Sequence, residues 1–338
     1  MRLARSTPLF ALVSLFACAT GASEDGGGFG TFTMGTMSGT MGTDSNSGDG
    51  DGVETGEDDG SDPCAGASPC EDASGDIPIT GGVSSSIVPD KTVDFGQWAS
   101  AGVGGMMVTG SESSENLTGA ELGDTIDALG GNDELTGLEG DDLLLGGTNN
   151  DLLDGGDGND RLEGGSGIDI CEGFNGIDLV MGGPGEDKLY GGAENDVLFG
   201  DAQADELYGE TADDRLFGGD DGDLLDGGDG NDQLWGELGD DTLFGGEGLD
   251  TLIGGEGNDI LAGGTEDDIY IWRVDDGDDT IDGEEGGNDL LWLGGVGPDD
   301  LTPLRAGSDY VLVTPSGVIR IAGYYLGSNQ IEAIQTEH

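Results

Sequence analysis

The stretch Gly155-Gly156-Asp157-Gly158-Asn159-Asp160-Arg161-Leu162-Glu163 is one copy of a nine-residue phrase that runs from Gly119 to Ile271. With the first glycine as position one, position six is aspartate at 124, 133, 142, 151, 160, 169, 178, 187, 196, 205, 214, 223, 232, 241, 250, 259 and 268, which makes 17 units without an insertion. Chance does not hold a register that long, so the repeat decides the architecture. Position eight is apolar throughout: Ile126, Leu135, Leu144, Leu153, Leu162, Cys171, Val180, leucine from Leu189 to Leu261, then Tyr270. One inward side chain per nine residues is too sparse for an amphipathic helix. It suits a three-residue strand with its middle side chain inward, followed by a six-residue turn. Position one is glycine except at Ala128, and positions two and four are often glycine, as turns with positive φ require. Asn or Asp commonly fills position five (Asn132, Asn159, Asn195, Asn231, Asn258), residue types that tolerate the left-handed region. Strands this short are stable only when stacked in a solenoid.

A strand-turn unit reverses the chain, so two units, 18 residues, complete one coil. Asp142, Asp160, Asp178 and Asp196 then share one edge, and Asp151, Asp169, Asp187 and Asp205 the other. Carboxylates on successive coils, about 4.8 Å apart, repel by roughly 3–4 kcal/mol at an effective dielectric of 20. No lysine or arginine is placed in the repeat to relieve this. A cation between the loops is required, and carboxylates with turn carbonyls suit a hard divalent ion, calcium before magnesium.

The units resemble the GGxGxDxUx nonapeptide of RTX (haemolysin-type calcium-binding) proteins. The resemblance implies an all-β fold, a parallel β-roll (β-solenoid) of 17 nine-residue units with irregular or β caps at both ends. It also implies multiple calcium ions between consecutive turns, held by backbone carbonyls and the position-six aspartates. The implied metal set is Asp133, Asp142, Asp151, Asp160, Asp169, Asp178, Asp187, Asp196, Asp214, Asp223, Asp232, Asp241, Asp250, Asp259 and Asp268. Turn backbone joins them at Gly155, Gly164, Gly182, Gly227, Gly245 and Gly254, the units with glycine at positions one, two and four. Four successive units depart, with Glu194, Gln203, Ala212 and Asp221 at position four. A Cβ there disfavours a left-handed turn, so this waist, Asp205 included, is expected to bind calcium less well than the other units.

Residues 1–20 read as an export signal: Arg2 and Arg5, an apolar run from Leu9 to Ala17, then small residues, too short for a permanent membrane anchor. Cys18 follows Leu15-Phe16-Ala17, which resembles a bacterial lipobox except at Phe16 and implies lipidation; cleavage after Ala19 or Ala22 is the alternative. Residues 21–90 are Gly, Ser, Thr and Asp with almost no aliphatic side chains, the composition of a disordered tether. Cys64 and Cys70 could close a small disulfide in an oxidising compartment, whereas Cys171 takes a core slot. Residues 91–118 are expected to cap the roll, with Gly110–Thr118 a degenerate unit bearing Glu115 at position six. The RTX β-roll spans 119–271 and a C-terminal β cap 272–338. In that cap Tyr270, Trp272, Asp279, Thr280 and Ile281 resemble the family's ending, Asp289 with Leu291 suggests an out-of-register unit, and 309–325 alternates as a hairpin about Pro315-Ser316-Gly317. Little sequence follows for the C-terminal signal of one-step RTX secretion, so export by the general pathway is expected.

A formal charge of −63 with nine basic residues excludes nucleic acid as a natural partner. The single histidine is His338, so neither an HExxH zinc site nor a histidine-based triad is available, and no G-x-S-x-G elbow occurs. Nothing N-terminal to the repeat is large enough for a catalytic domain. The expectation is a non-enzymatic, calcium-dependent protein, secreted or a cell-surface lipoprotein, that touches membrane only through an N-terminal lipid. It acts as a structural or adhesion protein toward surface polysaccharide or another surface protein. The alternative is a carbohydrate-binding module or an accessory to a polysaccharide-modifying or other secreted enzyme. Position-nine aromatics (Tyr190, Phe199, Tyr208, Phe217, Trp235, Phe244) would supply its ladder if they face outward; packing beneath caps or linker is the other reading.

Overall fold

The computed structural model describes residues 71–72, 77, 79–81, 89, 105–283, 286–324 and 331–337. The export signal with Cys18, the Cys64–Cys70 pair, nearly all of the tether and residues 91–104 lie outside the described residues. Chain order begins with short strands β1 (Glu71–Asp72), β2 (Ile79–Gly81), β3 (Met107–Thr109), β4 (Asn116–Thr118) and β5 (Thr125–Asp127). Fifteen six-residue strands follow, one per unit, from β6 (Glu134–Glu139) to β20 (Ile260–Thr265). The chain ends with β21 (Ile269–Arg273), β22 (Asp279–Ile281), β23 (Asp289–Gly294), β24 (Thr302–Ala306), β25 (Asp309–Val313), β26 (Val318–Ile321) and β27 (Ile331–Thr336). Among the described residues no helix is long and apolar enough to cross a membrane.

Successive strands alternate between two sheets. Even-numbered strands from β4 to β22 form one parallel sheet and odd-numbered strands from β3 to β23 the other. The register is 18 residues: Leu153 pairs with Cys171 and Leu162 with Val180. Two units therefore make one coil, and the protein is a parallel β-solenoid. The position-eight row is the core, fully buried from Ile126 to Leu252 and joined at its end by Tyr270, Trp272, Ile281 and Leu291. Cys171 occupies its expected slot as a buried free thiol, and burial pushes its pKa well up.

Within the unit the structure corrects the expected division. The strand is six residues long and covers positions seven to nine and one to three, with three residues left for the connection. Its burial alternates, position seven out, eight in, nine out and one in. Position-one glycines do not adopt the left-handed region; positions two and four do. Glycine is needed at position one because that inward slot is already filled. A Cβ on Gly155 would sit 2.5 Å from Asp160 Oδ2 and 3.0 Å from Gly173 O of the next coil. Position five is also corrected. Its φ is ordinary, and its Asn or Asp side chain accepts the position-five N–H one coil later, as from Asn159 to Asp141 Oδ1 at 3.0 Å and from Ile177 to Asn159 Oδ1 at 2.9 Å.

Both sheets continue into the C-terminal cap. β26 pairs in parallel with β22, and β25 and β24 follow antiparallel; β27 extends the other sheet beside β23. The hairpin forms about Ser316, with Val313 opposite Val318 and the Gly317 N–H donating to Thr314 Oγ1 at 2.9 Å. At the opposite end Glu115 takes position six, but its longer side chain folds back on its own turn and accepts from Ser111 N and Oγ at 2.7 Å.

Position nine faces outward, and because units alternate sheets its aromatics make two stacks rather than one ladder. Tyr190 and Tyr208 stack on the even sheet with centroids 5.1 Å apart. Phe199, Phe217 and Trp235 stack on the odd sheet at 4.7 and 4.5 Å. The odd-sheet stack belongs to a second apolar cluster with Leu179, Val197, Ile253, Ile271 and Trp292.

Candidate metal centre

The position-six aspartate ends the connection and opens the next strand, so its Cβ enters the coil rather than solvent. All 17 aspartates from Asp124 to Asp268 are buried. Each carboxylate is tied to the preceding coil through one oxygen. Asp160 Oδ1 accepts the N–H of Asp142, and Asp178 Oδ1 that of Asp160, both at 2.7 Å. On the other edge Asp169 Oδ1 accepts from Asp151 and Asp187 Oδ1 from Asp169, also at 2.7 Å. The aspartate carbonyl binds forward as well, accepting the position-seven N–H of the next coil, as Asp151 does from Ile170 at 2.9 Å. These bonds hold the carboxylates in two parallel files.

The second oxygen has no such partner. Oδ2 is buried without a hydrogen bond at every position-six aspartate from Asp133 to Asp268. A buried anion left in this state is costly. Burial accordingly raises the position-six carboxyls from Asp142 onward above the ordinary 3.8, to about 6 at Asp142, about 8 at Asp160 and about 9 at Asp196, with neighbouring carboxylates adding to the rise. The ion pairs Arg161–Glu163, Lys188–Glu206 and Arg320–Asp309 lie elsewhere and do not reach the files.

Among the described residues no three acidic, histidine or cysteine side chains converge closely enough to hold an ion by themselves. Backbone oxygen must complete any site, and the turns stack it there. The space at a position-one glycine lies between a file carboxylate and a next-coil carbonyl: a Cβ on Gly191 would lie 2.6 Å from Asp196 Oδ2 and 2.9 Å from Gly209 O. A Cβ on Gly156 or Gly158 would likewise collide with the carbonyl oxygen of Leu138 or Gly140 one coil earlier. Orphaned carboxylate oxygen beside stacked carbonyls is a hard, all-oxygen donor set, and it fits calcium. Calcium, when bound, supplies the charge that cancels the repulsion along each file.

The structure places all fifteen aspartates of the implied metal set in these files, and Gly155, Gly164, Gly182, Gly227, Gly245 and Gly254 directly against their carboxylates. It overturns the expected distortion at the waist. Glu194, Gln203, Ala212 and Asp221 keep the left-handed turn, with φ from 72° to 83°. Hydrogen bonds on both sides fix the backbone there and outweigh the roughly 1–2 kcal/mol that an L-residue costs in that region. Asp205 matches Asp160: 2 % exposed, Oδ1 accepting from Asp187 at 2.7 Å, Oδ2 unpartnered and the carboxyl raised to about 8 by burial. The turn geometry gives no ground for setting Asp205 apart from the other aspartates of its file. Asp205→Asn is therefore expected to shift the calcium midpoint of β formation as far as Asp160→Asn does. A shift less than half as large would restore a special status to the waist.

No curated protein matches this chain. The model of the RTX calcium-binding nonapeptide repeat (4 copies) matches residues 118–153, 136–171, 172–207, 200–234, 208–243 and 235–270, waist included. The buried aspartate files and their turns thus coincide with RTX calcium-binding nonapeptide repeats, which occupy residues 118–270.

Proposed function

We propose that this is an extracellular β-roll that folds as calcium binds, tethered at the cell surface through a lipid on Cys18 and the Gly/Ser/Thr/Asp segment, and serving there as a structural or adhesive protein rather than an enzyme. One observation carries the reading: the folded coil buries two files of carboxylates whose second oxygens lack partners. Such a fold needs abundant calcium. Weak sites of the extracellular class, with constants of about 10⁻⁴–10⁻³ M, are filled outside a cell. The role as a polysaccharide-binding module has less support. A sugar stacks on an open aromatic face, whereas Tyr190 and Tyr208 lie nearly parallel, 14° apart, and cover one face of each other.

The test is protease applied to intact producing cells. With millimolar calcium the roll is expected to survive at the surface, and with chelator to be digested. Cys18→Ala is expected to move the protein from the membrane fraction to a soluble one. Digestion unaffected by calcium would sink the folding switch, and unchanged membrane association in the variant would sink the lipid anchor.

A further inference from the structure

The in-register repeat ends at Ile271, but the aspartate files run on. Asp279 Oδ1 accepts the N–H of Asp259 at 3.0 Å, and Asp289 Oδ1 that of Asp268 at 2.9 Å. The spacings are 20 and 21 residues in place of 18. Both aspartates are buried, at 4 % and 1 % exposure. We propose that the turns ending at Asp279 and Asp289 each complete one more calcium site with the last in-register coil of their edge, and that these two ions fasten the C-terminal cap to the roll. This rests on the calcium reading of the repeats.

Three observations support it. The turn before Asp279 repeats the bend of a regular unit, with left-handed φ at Asp275 (76°) and Gly277 (111°), four and two residues ahead of the aspartate; Gly287 (102°) stands likewise two residues before Asp289. The close approach of successive turns persists, since a Cβ on Gly277 would collide with Gly257 O and one on Gly287 with Glu266 O, as one on Gly158 would with Gly140 O. Independently, the Oδ2 atoms of Asp259 and Asp268, the in-register partners of these turns, are buried without a hydrogen bond. Two of the extra residues fall directly after position nine, where Trp272 and Arg273 end the five-residue β21. Val274 takes the position-one place with its side chain 43 % exposed, so it avoids the collision that imposes glycine elsewhere.

Placement makes the two sites structural for the cap. Asp279 opens β22, which carries β26, and Asp289 opens β23, which carries β27. An ion at either turn therefore fixes the strand on which one half of the cap is built.

The experiment counts calcium bound to the full chain by equilibrium dialysis and follows amide exchange in the same samples, for the natural chain, Asp279→Asn, Asp289→Asn and the exposed control Asp299→Asn. Asparagine keeps an Oδ1 acceptor for the file hydrogen bond, so only the charge is removed. Each ladder variant is expected to bind one ion fewer. Exchange should speed at least tenfold in Val318–Ile321 for Asp279→Asn and in Ile331–Thr336 for Asp289→Asn, with strands up to β20 unchanged. An undiminished ion count, or a loss of protection spread over the whole roll, would overturn the proposal. A natural chain that binds no calcium would instead remove the reading on which it rests.

Discussion

In chelator the far-UV signal of parallel β structure is expected to be lost, with millimolar calcium restoring it and magnesium at the same concentration restoring little. The core supports this result poorly on its own, with one fully buried aliphatic side chain for each nine residues, and every coil adds a buried carboxylate to each file. A weak site of about 10⁻⁴ M contributes roughly 1.4 kcal/mol in millimolar calcium. Over even half of the 17 buried aspartates of the repeat, that is comparable to the roughly 5–15 kcal/mol net stability of an ordinary domain. Magnesium demands a tight octahedral shell and dehydrates reluctantly, which coil-spaced carbonyls do not suit. Circular dichroism of the full chain decides it, and equal β content with and without calcium would refute the calcium-folded roll.

Acid is expected to replace calcium in part. The file carboxyls from Asp142 to Asp268 rise from an ordinary 3.8 to between about 6 and about 9 in the folded coil, burial being the first cause and neighbouring carboxylates adding to it. The folded state thus binds more protons than the unfolded chain between these limits, and its stability falls as pH rises through them. The penalty is absent below the unfolded value and complete above about pH 9. In chelator, β content should therefore be greater at pH 5 than at pH 8. Protons and calcium compete for the same oxygens, so the calcium midpoint should move to higher concentration at pH 5. The two titrations are read by circular dichroism with sedimentation to exclude aggregation, and a cation-free roll that gains structure as pH rises would contradict the burial of the files.

The aromatic positions show where a linear pattern misleads. Tyr190, Phe199, Tyr208 and Phe217 follow one another at intervals of nine, yet neighbours in space are 18 apart, so the two tyrosines and the two phenylalanines stand on opposite sheets. The waist misled for a different reason. Glycine marks where a left-handed turn is cheap, but Gln203 and Ala212 hold φ of 80° and 83° because hydrogen bonds on either side leave the backbone no other course.

The periodic text by itself determined the solenoid, its 18-residue coil, the leucine core and the two files of aspartate, because each follows from which residue types recur at which interval. It also marked Asp289 with Leu291 as an out-of-register unit, and Asp279 only as part of an ending that resembles the family's. Only the tertiary structure decided how the positions share space. It made position-one glycine a matter of room for a carboxylate rather than of φ, and turned position five into a rung between coils. It split each carboxylate into one oxygen that welds the coils and one left for the ion. It also carried both files past the end of the register into the cap. Those outcomes depend on contacts between residues 18 or more apart, and a nine-residue motif cannot express the distance between one coil and the next.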